Sequence, residues 1–350
     1  MSQFSPNKIF NHLDRIHEWK TKGLSRPITY EIDMTNLCDA RCPFCFGYSD
    51  RTSTNFSLTF DEAKDIVDQI HDFGGKAITF TGGGEPLCNP DTLKVLQYVR
   101  KKGLDAGFIT SGYALNPEKC RIIVENCTWV RISLDAGTES FYAISHGMGE
   151  KVFNRVKENI AELVRIKKEL GSDVTIGTGF LTFDEMTDDM LNFVVLSREL
   201  GVDYAQFRPL LKREQDKEIN EFADEKILEN LSKAASYSTD TFSLLCSISK
   251  YTKLMSGSGK RSYGKCYGHH FATVVAADKK MYICCHMRGI KKYVIGDLEK
   301  NSLREIWESD KRKEVYENID FDDCPLLCRC DGMNEILWRI NPATTHKNFL

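Results

Sequence analysis

No stretch of this sequence approaches the roughly 20 consecutive apolar residues that a helical membrane span needs. The N-terminal stretch, MSQFSPNKIFNHLDRIHEWKTKG, lacks the uninterrupted apolar core of a secretory signal. Positive charge is not in excess: 47 Lys and Arg stand against 50 Asp and Glu, a formal net charge of −3. General nucleic-acid binding is carried by dense Lys and Arg, so that class is set aside. No internal repeat or low-complexity tract appears. Hydrophobic residues make up 41% of the 350, which supplies a substantial core and argues against disorder. These absences lead to the expectation of a soluble, cytoplasmic protein with one large domain and a smaller one. Neither a membrane nor nucleic acid is expected as a partner.

What the chain does have is cysteine, 13 of them. In a reducing compartment such a number is not a disulfide framework. The placement is uneven. Cys38, Cys42 and Cys45 fall in NLCDARCPFCFGYS, and Cys266, Cys284, Cys285, Cys324, Cys328 and Cys330 occupy the last quarter. Cys88, Cys120, Cys127 and Cys246 are scattered. Clustered thiols in such a protein suggest metal, whereas scattered ones serve as small buried apolar residues.

From about residue 28, short β-branched runs alternate with longer amphipathic ones. ITYEIDM, KAITFTG, AGFIT, WVRISLD, DVTIGTGFL and YAQFRPL read as strands, each but the last followed by a helical period. The first of those helices, LTFDEAKDIVDQIHDFG, closes on glycine. Six βα-like units in a row predict parallel strands with helical crossovers. After about residue 215 the pattern changes. EKILENLSKAASYSTD reads as a bridging helix, SGSGKRSYGK as a flexible link, and ATVVAADKKMYICC as a hairpin turning at AADKK. NSLREIWESDKRKEVYENI reads as one helix, and the final NPATTHKNFL, with His346, as a tail packed back on the molecule. The expected division is an N-terminal helical extension over 1–27, the βα units over 28–215, a helical linker over 216–262, and a cysteine-rich domain with its tail over 263–350.

Three thiolates in one loop can hold three irons of a four-iron cubane, since soft thiolates are the usual ligands of iron–sulfur clusters. The missing fourth ligand leaves one iron open to an exogenous molecule, as catalytic zinc sites keep one position open. A structural zinc site is the alternative, and it needs a remote partner such as His71 or Cys88. CDARCPFC directly after the first strand resembles the CxxxCxxC signature of the radical S-adenosylmethionine (SAM) enzymes. That resemblance implies that Cys38, Cys42 and Cys45 ligate the cluster, that Phe44 lies near the adenine, and that SAM chelates the open iron. It also implies a partial (β/α)6 TIM-like barrel and a chemistry in which SAM yields a 5′-deoxyadenosyl radical that takes a hydrogen atom from a C–H bond. Gly83, Gly84 and Glu85, in FTGGGEP, resemble the family's GGEP segment, where glycine permits close backbone approach. A phosphate-cradling loop is the rival reading, but no GK[ST] follows. Thr110, Ser111 and Gly112 end the third strand and Ser133 and Asp135 the fourth, where the family's ribose and carboxylate contacts lie. Thr175–Gly179 and Arg208 mark the fifth and sixth strands as further cofactor candidates. Strand-end turn chemistry is the plain alternative for all of these.

Cys266-x17-Cys284 and Cys324-xxx-Cys328-x-Cys330 resemble the SPASM or Twitch extensions behind many radical SAM cores, a small α+β iron–sulfur domain. One fully ligated cubane needs four cysteines and two need eight. Six therefore imply one auxiliary [4Fe-4S] cluster on Cys266, Cys284, Cys324 and either Cys328 or Cys330. A second cluster completed by Cys285, His286, His269 or His270 stays open, as does zinc.

The resemblance makes the chain an oxidoreductase or epimerase. An auxiliary cluster that accepts an electron gives an oxidised product. A thiol that returns hydrogen from the opposite face gives an epimer, and Cys246, in TFSLLCSISKY, is the candidate donor. Only about 35 residues precede Cys38, too few for a separate leader-binding module. The expectation is therefore a small polar substrate such as a sugar, cyclitol or amino-acid derivative, with peptide maturation by cross-linking or epimerisation as the alternative. A flavodoxin or ferredoxin is the expected reducing partner. A non-catalytic electron-transfer or zinc protein is the alternative of another class.

Overall fold

The computed structural model describes residues 5–45, 55–210, 225–256 and 261–341. The tail with His346 lies outside the described residues, as do parts of the expected linker. Among the described residues no helix is long and apolar enough to cross a membrane.

A 3-10 segment, Pro6–His12, and helix α1 (Leu13–Lys22) lead into β1 (Thr29–Asp33). Strand and helix then alternate as the sequence predicts: α2 (Phe60–Asp72), β2 (Ala77–Thr81), α3 (Thr92–Lys101), β3 (Asp105–Thr110), α4 (Pro117–Asn126) and β4 (Trp129–Ser133). The series continues with α5 (Glu139–His146), α6 (Glu150–Leu170), β5 (Thr175–Thr182), α7 (Met190–Glu199) and β6 (Tyr204–Pro209). Local chemistry explains the boundaries. Thr59 and Glu62 form a reciprocal capping box at the start of α2, whose buried stripe is Ala63, Ile66, Val67 and Ile70. Pro117 opens α4 behind an Asn116 cap.

β1 to β6 are parallel neighbours in sequence order, and their helices cover one face. Tyr30, Ile32, Ile78, Phe80, Ala106, Phe108, Val130, Ile132, Ile176, Phe180 and Phe207 alternate onto that face and are buried in the main core. The opposite face is polar. Register sets Asp33 beside Thr81, Ile109 beside Arg131, Ser133 beside Gly179, and Leu181 beside Arg208. This is the partial (β/α)6 barrel the sequence implied.

The second half follows as α8 (Glu225–Ala235), β7 (Ser243–Leu245), α9 (Ile248–Met255), β8 (Ala272–Val275), β9 (Lys280–Tyr282), β10 (Val294–Asp297), α10 (Leu303–Glu308), α11 (Asp310–Glu317) and α12 (Asp331–Ile340). The hairpin turns where expected, with Lys279 in the left-handed region at φ 62°. Three features differ from expectation. β7 adds a seventh parallel strand beside β6 inside the expected linker. β8 pairs parallel to β1, so the hairpin and β10 extend the barrel sheet to ten strands, in the order β10-β9-β8-β1-β2-β3-β4-β5-β6-β7. The stretch read as one helix after Asn301 is two, because Ser309 is extended (ψ 152°) and caps α11. A second apolar cluster joins Ile9, Ile16 and Trp19 to Ile28, Phe271 and Leu337, packing the N-terminal segment on the C-terminal one.

Candidate functional site

The cysteine loop leaves the carboxyl end of β1 and is fixed from three sides. From β2, the glycine segment donates Glu85 N–H to the Leu37 carbonyl at 2.8 Å. A Cβ on Gly84 would collide with that carbonyl oxygen and stand 2.6 Å from the carbonyl carbon of Asn36, so only glycine allows the approach. From α5, the His146 carbonyl accepts from Arg41 N–H at 2.8 Å. From β3, the Ser111 hydroxyl lies 3.3 Å and 3.4 Å from the two carboxylate oxygens of Asp39. Cys38, Cys42 and Cys45 are half-buried at this mouth. Phe44 packs on Phe183 with ring centroids 5.3 Å apart.

Glu85 turns inward. Its carboxylate accepts from Ser111 N–H (2.7 Å), Thr110 hydroxyl (2.7 Å) and Leu87 N–H (3.1 Å). Burial, with the Asp39 carboxylate adding to it, pushes Glu85 up to about 7 against those hydrogen bonds. Gly83 donates its N–H to Asp33. Cys88 is also close, its thiol pushed up to about 12 by burial and then by Asp39, Glu85 and Cys38. His71 is far less involved; it pairs with its exposed neighbour Asp72.

At β4 the Ser133 carbonyl accepts from His146 Nε2 at 2.9 Å, which fixes the proton on that nitrogen, and Nδ1 faces the Ser145 hydroxyl at 2.8 Å. Burial lowers His146, so the ring is neutral, stacked on Tyr142 at 4.2 Å. Asp135 adopts φ 44° and ties β4 to β5: its N–H donates to the Gly179 carbonyl (2.9 Å), and its carboxylate accepts from Leu181 N–H (2.6 Å). Arg208 lies one strand over on β6. Cys246 is half-buried just past β7, with its thiol pushed up by burial.

The C-terminal thiols gather around Cys330, which is buried. Thiols of Cys284 and Cys328 hydrogen-bond to it and hold it well below the usual thiol range, while Cys285 bonds to Cys284. Cys266 accepts from Asn334 Nδ2 at 3.4 Å and is pushed to about 11 by burial and Cys330. Burial pushes Cys324 to about 12, with Cys266 adding to it. His269 and His270 turn their Nδ1 atoms to Arg312.

Sequence reading missed what joins the two thiol regions. Arg288, three residues past Cys285, reaches the inner face of β1: its Nε pairs with Asp33 at 2.5 Å and its Nη2 with Glu31 at 3.1 Å. Arg329, between Cys328 and Cys330, also pairs with Glu31. The available signal was two acids at alternate positions of an otherwise apolar strand.

Among the described residues, no three Cys, His, Asp or Glu side chains already stand at metal-ligand geometry. The donor chemistry fits iron–sulfur clusters all the same. Three half-buried thiols share a strand-end mouth whose neighbouring loop tolerates no Cβ, and five more gather around the buried Cys330.

Fold and site together define a barrel built around cysteine-ligated iron–sulfur chemistry. The family profile described as the radical SAM superfamily matches residues 32–194, and that of the SPASM iron–sulfur cluster-binding domain matches residues 266–331. The chain carries a radical SAM domain and, C-terminal to it, a SPASM domain; the two imply SAM and [4Fe-4S] clusters as cofactors. It is 29% identical over 149 residues to the mycofactocin maturase MftC of Mycobacterium ulcerans, covering 42% of this chain and 40% of that protein. With the AdoMet-dependent heme synthase of Methanosarcina barkeri it shares 25% over 305 residues, 82% of this chain and 83% of that one. With the PqqA peptide cyclase of Streptomyces rochei it shares 31% over 97 residues, 28% and 26% of the two chains. The chain thus spans less than half the length of the maturase and of the cyclase. Streptococcus suis SuiB bound to precursor peptide SuiA superposes with a TM-score of 0.69 at 14% identity, covering 91% of this chain and 73% of that one. Native anSMEcpe with bound AdoMet gives 0.62 at 17%, covering 88% and 92%. Both are likenesses of fold.

Proposed function

We propose that this enzyme modifies a peptide, using a SAM-derived radical at the barrel mouth and an auxiliary cluster in the SPASM domain. The observation that carries the two-centre reading is the strand β1: it delivers the Cys38–Cys45 loop at its end and receives Arg288 and Arg329 from the auxiliary thiols on its inner face. The peptide part rests on similarity to proteins named as a mycofactocin maturase and a PqqA peptide cyclase. That similarity favours a peptide over the small polar substrate the short N-terminal segment suggested.

In this reading Cys38, Cys42 and Cys45 hold the SAM cluster, and Phe44, Gly83, Gly84, Ser111, Ser133 and Asp135 line the cofactor. Glu85 acts as a brace, since both its oxygens are committed to β3 and to its own turn. Cys266, Cys284, Cys324, Cys328 and Cys330 supply the auxiliary cluster. Bound SAM and its reduced cluster supply the 5′-deoxyadenosyl radical; the chain excludes water and holds the target carbon near C5′. A reducing protein such as a flavodoxin or ferredoxin completes the system.

Oxidation and epimerisation divide at Cys246. Burial keeps its thiol protonated, the form that can return a hydrogen atom. Anaerobically reconstituted enzyme, SAM, dithionite and a panel of candidate precursor peptides form the test, run in deuterated buffer. Formation of 5′-deoxyadenosine with a two-hydrogen mass loss on the peptide supports oxidation. A one-deuteron gain that vanishes in Cys246→Ser supports epimerisation. A competent cluster that never yields 5′-deoxyadenosine with any peptide overturns the reading.

A further inference from the structure

Among the described residues the barrel's inner face carries a neutralised charge cluster on β1 and an arginine pair without carboxylate partners on β4 and β6. On β1, Glu31 and Asp33 are matched by Arg288 and Arg329. Three to five strands along the sheet, Arg131 of β4 and Arg208 of β6 stand on the same inner face, and among the described residues no carboxylate pairs with either. Between them β5 presents Gly179, and a Cβ there would lie 3.4 Å from both Arg131 Cδ and Arg208 Nη2. The missing side chain lets the two guanidinium groups flank one gap. Arg131 Nη1 donates to Gln206 Oε1 at 3.0 Å. Among the described residues neither arginine has a carboxylate within ion-pair distance, and the Nε of each is buried without an acceptor. Asp135, whose charge acts on Arg131, has turned its carboxylate to Leu181 N–H.

A half-buried cation without a carboxylate partner is costly, and two side by side cost more. Burial, and then Arg208, push Arg131 down to about 9. Replacing either arginine by a neutral residue would remove that cost, so the fold carries the pair at the expense of its own stability. Guanidinium forks are shaped for planar oxyanions, which they bind through two parallel hydrogen bonds.

We propose that Arg131 and Arg208, with Gln206 beside them, form the receptor for a carboxylate group of the substrate. The source of that carboxylate, an acidic side chain or the free C-terminus of a peptide, rests on the peptide reading above. Arg208, whose strand-end position alone suggested a cofactor contact, is thereby assigned to the substrate. The pair anchors the substrate on the β4–β6 side of the mouth while the cysteine loop occupies the β1 side. Selectivity follows: an amide in place of the carboxylate leaves both cations unpaired and is rejected.

The test uses reconstituted holoenzyme with SAM bound and two probes, N-acetylglutamate N-methylamide and its glutamine counterpart, followed by calorimetric titration and thermal unfolding. The glutamate probe should bind saturably, about tenfold or more tighter than the glutamine probe, and should raise the unfolding temperature. Arg131→Gln should erase that preference while unfolding at a higher temperature than wild type without ligand, and Arg131→Lys should restore part of the preference. A misfolded variant would show the opposite thermal change. Equal binding of the two probes, no saturable binding of the glutamate probe, or inorganic phosphate acting as well as the glutamate probe would each overturn the proposal. So would a loss of SAM affinity in Arg131→Gln matching the loss of probe, which assigns the pair to the cofactor. Failure of the wild-type protein to bind SAM at all would instead strike the underlying enzyme reading, since discrimination between the probes needs no turnover.

Discussion

Two residues of the glycine segment do opposite kinds of work. Gly84 matters for what it lacks. Gly84→Ala forces its Cβ into the backbone at Leu37 and Asn36; the variant should lose about 1–3 kcal/mol of stability and bind markedly less iron on reconstitution. Gly149→Ala is the control, with no heavy atom within 4 Å of the new Cβ, and should retain iron. Glu85 matters for its protonation. Its value in the folded chain, about 7, lies above the ordinary 4.5. Its favourable contribution to folding is therefore complete below pH 4.5 and lost as pH rises through 7. Glu85→Gln should flatten that slope, read as urea midpoints of the two proteins between pH 5 and 8. Parallel curves would mean that Glu85 is ionised throughout. The three-cysteine loop, the glycine segment and the strand-end residues were all legible in the sequence, because each is a short motif tied to a strand terminus. The orientation of Glu85 was not, since both its partners on β3 lie about 25 residues away in sequence.

At the level of elements, the break at Ser309 shows how one side chain decides an arrangement. Residues five apart on a continuous helix point in different directions. With the chain extended at Ser309, the Arg312 guanidinium of α11 can lie 3.6 Å over the Trp307 ring of α10. Trp307 is itself anchored by Nε1–H donating to the Ser25 carbonyl at 2.8 Å. Ser309 accepts from Arg312 N–H at 3.1 Å and donates to the Ile306 carbonyl at 2.8 Å. Ser309→Ala should cost about 1 kcal/mol in denaturant unfolding and weaken Trp307 quenching as the stack loosens. An unchanged midpoint would show that packing alone sets the break. Helical periodicity runs straight across this serine, so the pattern predicted one helix. β7 went unseen for a related reason: three residues are too few to display a strand period.

The whole molecule is held together at β1. This strand pairs with β2 on one side and with β8 on the other, about 240 residues later in the chain. Its inner acids receive Arg288 and Arg329. Arg288→Gln would leave Asp33, only 1% exposed, facing no cation; a loss of about 3–5 kcal/mol is expected. Asp33 already sits at about 6, raised by burial and restrained by Arg288. Without the arginine it rises further, so the variant should be hurt less at pH 5 than at pH 8. Adding Asp33→Asn to Arg288→Gln should recover part of the loss, and additive losses in a double-mutant cycle would show that the two residues are not coupled.

The sequence alone determined the alternation of strands and helices, the site of the cysteine loop, and the family to which these motifs belong. Each of those is written in a few contiguous residues or in a local period, where the backbone's own geometry dictates the outcome. Only the tertiary structure decided that the C-terminal hairpin continues the barrel sheet, that the acids of β1 are neutralised from the auxiliary thiol region, and that Arg131 and Arg208 meet across a glycine with no carboxylate partner among the described residues. These depend on which distant segments share a register and a dielectric. No local pattern encodes that, because an arginine in a strand reads the same whether its charge is matched or left bare.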